Sequence, residues 1–211
     1  VMSDLGFPWF WNYFFHFIFA GMGCFILLIS LNSGFWPAVF GSLGFMLTPY
    51  MVTMIVHGHG SQMMTAAYIP WIFWGLHQTL KIPCMRNTGI LALLMGLQLL
   101  RGHIQIAYYT WLLAGSYLLI FLIKLIRLKN YNRYTGVFHS VTAMIISLFI
   151  SMILYYPAKS YTPFSIRGGS ESGGTGFQYA TQWSFSMGEM LTFFNPSYYG
   201  FGGATYWGNM P

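Results

Sequence analysis

The chain has 211 residues, of which 56% are hydrophobic, 20% are aromatic and only 6% are charged. Soluble domains carry about 25% charged residues, so this composition excludes an ordinary soluble globular domain and predicts a membrane protein. The formal net charge is +6, but the basic residues are scattered at the ends of apolar runs, as in proteins that charge orients in a membrane. We therefore expect membrane lipid around the chain and no nucleic-acid partner.

Six apolar runs follow one another along the sequence, separated by short polar turns. About 20 apolar residues suffice to cross a bilayer as a helix, so we predict an all-α, polytopic membrane protein with about six transmembrane or part-spanning helices. The fourth run is short, and its length of about 18 Å cannot cross a core roughly 30 Å thick. The helices of this transmembrane region, 1–156, are predicted near 9–31, 35–56, 63–80, 89–100, 106–126 and 136–156, and residues 157–211 are predicted to form an extracytoplasmic loop segment, the tail.

The basic residues predict which helix ends face the cytoplasm. Lys81 and Arg86 follow the third run, and four basic residues lie from Lys124 to Arg133 after the fifth. The positive-inside rule places both turns in the cytoplasm. The opposite turns and the tail then share the outward face, which carries Asp4, His57, His59, Gln62, Arg101, His103, Gln105, Arg167, Glu171, Gln182 and Glu189.

Arg101 is the most informative residue of this outward face. A guanidinium at the end of an apolar helix is costly unless it reaches water, a carboxylate or a phosphate. Arg101 and Gln105 are spaced i, i+4, and Tyr108 and Tyr109 continue the same side. This strip, together with His103, suits the grip of a phosphate next to a sugar, whereas snorkelling to the membrane surface is the alternative.

The turn from His57 to Gln62 contains two histidines flanked by glycines. Zinc sites need at least three protein ligands, and no third ligand follows at suitable spacing, so we predict no metal site. A tight turn with interfacial imidazoles is one alternative. The interpretation that we prefer is that Gly58 and Gly60 let the backbone and His59 approach an anionic head group.

Glu189 is the candidate catalytic residue of the tail. It lies among the apolar residues from Met187 to Phe194, a setting that is expected to raise the pKa of a carboxyl group and to suit a general acid or base. An ion pair with Arg167 or Arg101 is an equally simple account. The many aromatic residues around it are typical either of an interfacial belt or of a platform for a sugar ring.

Several motifs together resemble the bacterial YfhO-like membrane proteins. In the helical region they comprise a Gly-His turn, a Tyr-x-Pro helix start, a His-x-Gln and paired tyrosines, and the tail adds a longer pattern. The resemblance spans residues 57 to 208, through Gly58-His59, Tyr68-Ile69-Pro70, His103-Ile104-Gln105, Tyr108-Tyr109, Ile166-Arg167-Gly168-Gly169-Ser170-Glu171, Tyr179-Ala180-Thr181-Gln182-Trp183-Ser184, Gly188-Glu189, Asn195-Pro196 and Tyr206-Trp207-Gly208.

Such proteins are similar to the GT-C class of polytopic glycosyltransferases. The resemblance implies transfer of a sugar from a polyprenyl-phosphate carrier to a cell-envelope glycopolymer or lipid, on the outer face of the bacterial cytoplasmic membrane. In this class an acidic residue in the first outward loop serves as catalytic base or metal ligand. We expect that loop, and the helix before it, to precede Val1, and whether a divalent metal ion takes part stays open.

The resemblance also implies roles for residues of the outward face. Arg101, His103 and Arg167 would bind the carrier phosphate, His59 and Gln105 would orient the sugar hydroxyls, and Glu189 would support catalysis or the acceptor. Gln62, Gln182 and Trp183 complete the predicted substrate-binding set. A transporter or flippase of lipid-linked saccharides could use the same cavity and cations without catalysis, and it is the alternative function.

Overall fold

A computed structural model of the chain describes residues 10–129, 133–165, 181, 184, 186–200 and 205–207. The chain divides into two compact units, Val1–Leu154 and Tyr155–Pro211, and each is described by itself. The described residues contain no strand, which confirms the predicted all-α class. They form eight α-helices, namely α1 (Phe10–Ser30), α2 (Phe35–Met46), α3 (Pro49–Val56), α4 (Gly60–Ala66), α5 (Ile69–Lys81), α6 (Met85–Leu100), α7 (Ile104–Arg127) and α8 (Tyr134–Tyr161).

Within the described residues, four helical segments are long and apolar enough to cross a membrane: Phe10–Ser30, Phe35–Val56, Ile104–Arg127 and Tyr134–Phe164. The protein is therefore a polytopic α-helical membrane protein, as its composition predicts. α6 is apolar but shorter.

The burial pattern of α8 is that of a helix in lipid. Its buried positions are held by small residues, Gly136, Ser140, Ala143, Ser147 and Ser151. Small residues let helix backbones approach closely in a membrane, where packing rather than the hydrophobic effect drives association. Large apolar side chains face outward instead, with Phe138 71% exposed and Ile153 78% exposed.

Two of the predicted helices are broken at prolines. The second run is interrupted at Leu47 and Thr48, and α3 restarts with Pro49 in its first turn. The third run begins earlier than predicted, at Gly60, and is interrupted just before Pro70. Proline lacks the N–H that would bond four residues back, so it favours a helix start rather than a helix interior.

Three other helices are longer than predicted: α7 by a few residues, and α6 and α8 by more. α6 begins at Met85 and has 16 residues, so its length is about 24 Å and still short of a core roughly 30 Å thick. α8 continues past its internal Pro157 to Tyr161, because a membrane helix tolerates the loss of a single backbone hydrogen bond.

The core of the helical unit lies between α5, α6, α7 and α8. Its fully buried members include Ile72, Leu91, Met95 and Ala143. α1 packs against α2, α4 and α5, and the indole Nε1 of Trp71 donates a hydrogen bond of 2.8 Å to the carbonyl oxygen of Phe19. The start of α5 is thereby fixed against the middle of α1.

Candidate functional site

The turn between α6 and α7 positions Arg101. α6 ends at Leu100, and the amides of Arg101 and Gly102 bond the carbonyls of Gln98 and Leu99 at 3.1 Å each. Gly102 has φ +79°, which favours glycine and reverses the chain within one residue. Arg101 therefore lies directly after α6, and the last turn of this helix fixes its backbone.

The guanidinium of Arg101 lies beside Tyr68, at the break between α4 and α5. Its central carbon is 6.0 Å from the Tyr68 ring centroid, the outer limit of a cation–π contact. His16 of α1 lies against the same ring, with centroids 6.3 Å apart, and it interacts electrostatically with Arg101. The Nδ1–H of His16 donates to the carbonyl of Asn12 at 2.6 Å.

Gln98 lies one turn before Arg101 and is fully buried. Its Nε2 donates to the hydroxyl of Thr110 at 2.9 Å and to the carbonyl of Thr65 at 3.3 Å. Three buried side-chain atoms have no hydrogen-bond partner among the described residues, and two of them are Gln98 Oε1 and Arg101 Nε. We call the set His16, Tyr68, Gln98 and Arg101 the Arg101 cluster.

An orphaned guanidinium nitrogen in a buried position is costly, because its desolvation is not offset by a hydrogen bond. The sequence holds three acidic residues, and only Asp4 belongs to the same unit as Arg101; it lies outside the described residues. The described part of this unit therefore supplies no carboxylate to Arg101. A ligand with anionic oxygens is the chemistry that such a group binds best.

His103 lies next to Arg101 as the N-terminal cap of α7. Its Nδ1 accepts the backbone N–H of Ile106 at 3.5 Å, which requires the neutral ring. Burial, and then the nearby His59, lowers the pKa of His103. A neutral His103 can donate a hydrogen bond through its other ring nitrogen, and its predicted role in binding the carrier phosphate stays a prediction.

Gln105 is exposed and starts α7, where its Nε2 donates to the hydroxyl of Tyr109 at 3.2 Å. The predicted helical i, i+4 relation of Arg101 and Gln105 is wrong, because Gly102 interrupts the helix between them. Tyr108 and Tyr109 are exposed with ring centroids 5.7 Å apart. A polar and aromatic surface does follow Arg101. It arises from the turn at Gly102 and the start of α7, not from a single helix face.

The turn between α3 and α4 places His59 near His103. Gly58 has φ +77°, and a side chain at Gly60 would collide with the ring of Tyr13. His57 instead bonds the carbonyl of Thr53 through Nδ1 at 2.8 Å. His59 is exposed and Gln62 is half-buried at the start of α4, and no group of three metal-ligand side chains occurs in the described parts of the chain.

Three predicted site residues, Arg167, Gln182 and Trp183, lie outside the described residues. Their predicted roles stay predictions.

Glu189 lies in the second unit, within a short 3-10 helix, Gly188–Phe193. Its carboxylate accepts the backbone N–H of Ser186 at 2.7 Å and the hydroxyl of Tyr206, and its own N–H donates to the hydroxyl of Ser186 at 3.3 Å. The reciprocal Ser-x-x-Glu arrangement is a capping box. This spacing is visible in the sequence, and it identifies a structural role for Glu189.

The hydrogen bonds from Tyr206, and then from the Ser186 backbone, hold the pKa of Glu189 below its ordinary value. The expected rise in pKa is therefore wrong, because hydrogen bonds to the charged form outweigh the apolar neighbours. A carboxylate with both oxygens engaged and a lowered pKa is a weak general base. The geometry favours a structural role, in which the hydrogen bonds of Glu189 stabilise the fold of this part of the tail.

We expect the Glu189→Gln substitution to loosen this segment in a pH-dependent manner. The lowered pKa means that the charged form stabilises the fold fully above its ordinary pKa of 4.5, and that this stabilisation is lost as pH falls through the lower folded value. Hydrogen exchange of amides 186–194 should be faster in the variant at pH 7 and equal to the parent's in strong acid. Tyr206→Phe should act in the same direction, and Tyr198→Phe serves as the control; equal exchange in parent and Glu189→Gln at pH 7 would refute the role.

Comparison with family models, with curated proteins and with solved structures finds no match for this chain. The candidate function therefore depends on the residues themselves and on the family resemblance of their motifs.

Proposed function

We propose that this chain is part of a membrane glycosyltransferase that transfers a sugar from a polyprenyl-phosphate carrier to a cell-envelope glycopolymer or lipid. The observation that carries the proposal is the buried, unpartnered Nε of Arg101 at a helix end, without a hydrogen-bond partner among the described residues. It supports an anionic ligand at the end of α6, and a lipid-linked phosphate brings such an anion to a membrane protein. The motifs that resemble the YfhO-like proteins support the proposal that this lipid phosphate carries a sugar.

The groups around Arg101 match the two parts of this substrate. Arg101 offers a planar fork of donors, which suits phosphate oxygens. His59 and Gln105 are exposed on the two neighbouring turns, where they would orient sugar hydroxyls, and the adjacent Tyr108 and Tyr109 offer ring faces to the sugar. His103, as a neutral donor, would bond a phosphate or hydroxyl oxygen.

The reaction breaks the bond between the anomeric carbon and the carrier phosphate oxygen and forms a bond from that carbon to an acceptor hydroxyl. Negative charge develops on the leaving phosphate, so a preorganised guanidinium stabilises the transition state more than the ground state. The acceptor proton passes to a base. By the family resemblance this base is an acidic residue of the first outward loop rather than Glu189.

The proposal includes a topology that follows from the positive-inside rule. The turn after α5 and the turn before α8 face the cytoplasm of a bacterium, and the Arg101 cluster and the tail face outward. The enzyme then works at the outer surface of the cytoplasmic membrane, where the envelope acceptors are.

The test uses the full-length protein in proteoliposomes and asks first whether it binds polyprenyl phosphate. We expect saturable binding of polyprenyl phosphate and none of polyprenol, which lacks the phosphate. With a sugar-loaded carrier and envelope acceptor, we expect free polyprenyl phosphate and glycosylated acceptor in equal amounts. Equal binding of polyprenol would contradict the anion site, and movement of intact carrier across the bilayer without cleavage would favour the flippase alternative.

A further inference from the structure

A polar cavity of about 360 Å³ lies at the other end of α5 from the Arg101 cluster. Its walls come from the ends of α1 and α5, the second half of α7 and the start of α8. α5 has 13 residues, so the two sites are about 20 Å apart along this helix. The cavity is therefore independent of the site that the proposed function uses.

Two of the residues that line this cavity are cationic, Lys81 and Arg133, and His77 lies beside them. His77 and Lys81 are one helical turn apart and interact electrostatically, and His77 also bonds the backbone of Ser30. None of the lining residues is acidic. Cationic groups gathered against low-dielectric walls without a carboxylate create a strong positive potential, which an anion relieves.

The fold holds the two cations near each other. Gly136 lies one turn into α8, and a Cβ atom there would be 3.1 Å from both the Cα and the carbonyl oxygen of Leu80. The backbones of α5 and α8 are therefore in contact directly beside Lys81 and Arg133. Arg133 also precedes the N-terminus of α8, whose positive end adds to the potential rather than offsetting it.

The remaining walls combine polar groups, including those of Ser30 and Asn32, with apolar surface. Tyr117 contributes a phenol, and Leu31, Leu80 and Phe121 contribute hydrocarbon. Apolar walls make no favourable contact with a soluble anion. A lipid has both a phosphate and acyl chains, so it can contact the cations and the apolar walls together. The volume is at the small end of the range for ligand pockets, about 300 to 1,000 Å³, and suits a head group more than a whole lipid.

We propose that this cavity binds the phosphate of an anionic membrane phospholipid. Arg133 and Lys81 pair with the phosphate oxygens, Tyr117 donates to the head group, and the acyl chains leave along Leu31 and Phe121. Basic pockets between transmembrane helices on the cytoplasmic side bind lipid head groups in this way. The bound lipid links α1, α5 and α8 at one end of the bundle.

The experiment measures binding of dioctanoyl phosphatidylglycerol to the full-length protein in a non-ionic detergent. Dioctanoylglycerol, which lacks the phosphate, and inorganic phosphate are the comparison ligands. The test variant is Lys81→Ala with Arg133→Ala. The matched control is Lys124→Ala with Arg127→Ala, which removes the same charge from exposed positions at the end of α7 that do not line the cavity.

We expect saturable binding of phosphatidylglycerol only, weakened about tenfold or more in the test variant and about twofold or less in the control. An equal loss in both double variants would overturn the proposal, because it would indicate general attraction to surface charge. Inorganic phosphate that binds as tightly as the lipid would overturn the lipid assignment in favour of a free anion.

A milder variant keeps the test valid if the double variant does not fold. Arg133→Lys keeps the charge and loses the fork of donors, so it should weaken phosphatidylglycerol binding about threefold. Unchanged affinity in this variant, together with a parental melting temperature, would overturn the role of Arg133.

Discussion

Replacement of Gly23 by alanine is expected to lower the free energy of unfolding of the helical unit by about 1–3 kcal/mol. Gly23 is buried in α1, and a Cβ atom there would lie 2.5 Å from the indole atoms Cδ1 and Nε1 of Trp71. A real Cβ does not approach so closely, so the indole or the helix must move. Trp71 cannot move freely, since it donates a hydrogen bond to the Phe19 carbonyl and stacks on the Phe19 ring at 5.0 Å.

The damage should extend to the Arg101 cluster. The Phe19 ring also contacts the ring of Tyr68, with centroids 4.9 Å apart, and Tyr68 is the residue against which Arg101 lies. A displaced Trp71 would move Phe19 and then Tyr68. We therefore expect Gly23→Ala to weaken polyprenyl-phosphate binding as well as stability, although Gly23 itself touches no ligand.

Unfolding of the purified protein in mixed detergent micelles, followed by circular dichroism, measures the effect. Gly115→Ala is the matched control, because Gly115 lies inside α7, where an added Cβ atom would meet no neighbouring side chain within 4 Å. Alanine exceeds glycine in helix propensity by up to about 1 kcal/mol, so the control should be neutral or slightly more stable. Equal destabilisation by the two substitutions would refute the close contact of Gly23 with Trp71.

The apolar runs are sufficient to predict the membrane class, because a run of about 20 apolar residues has few other stable environments. They are not sufficient to predict where the helices break. Pro49 and Pro70 both start new helices, yet α8 continues through Pro157. The difference depends on the packing of neighbouring helices around each proline, which no local pattern contains.

The candidate site is predictable only in part for a related reason. Arg101 stands out, since it lies at the end of an apolar run on the predicted outward face, but its partners depend on the turn at Gly102. Tyr68 and Gln98 are not among the predicted site residues. Gln98 does carry a signal, because a polar amide inside an apolar helix is costly in lipid and marks a packed or functional position.

In the tail, the local spacing of residues predicts the role of Glu189 correctly, whereas the apolar composition around it predicts the wrong direction of its pKa shift. Apolar neighbours around Glu189 suggest a raised pKa, but the Ser186-Met187-Gly188-Glu189 spacing is that of a capping box. Hydrogen-bond donors three residues back and at Tyr206 determine the charge state. Short-range spacing predicts a carboxylate's role better than the hydrophobicity around it when the spacing matches a known backbone motif.

Arg101→Ala is expected to reduce polyprenyl-phosphate binding and sugar transfer by about 10²-fold or more, the effect of removing one partner from a buried, charge-assisted pair. Arg101→Lys should retain part of the binding, because an ammonium keeps the charge and loses the bidentate fork. Arg86→Ala removes the same charge from an exposed position in the first turn of α6 and should leave both quantities unchanged.

Stability without ligand separates this role from a structural one. The Nε of Arg101 has no hydrogen-bond partner among the described residues, so truncation removes a buried orphan and should change the free energy of unfolding by less than about 1 kcal/mol. Polyprenyl phosphate should raise the melting temperature of the parent and of Arg86→Ala, but not that of Arg101→Ala. If Arg101 only snorkels to the membrane surface, the ligand will stabilise all three proteins equally, and the guanidinium will have no part in binding the carrier.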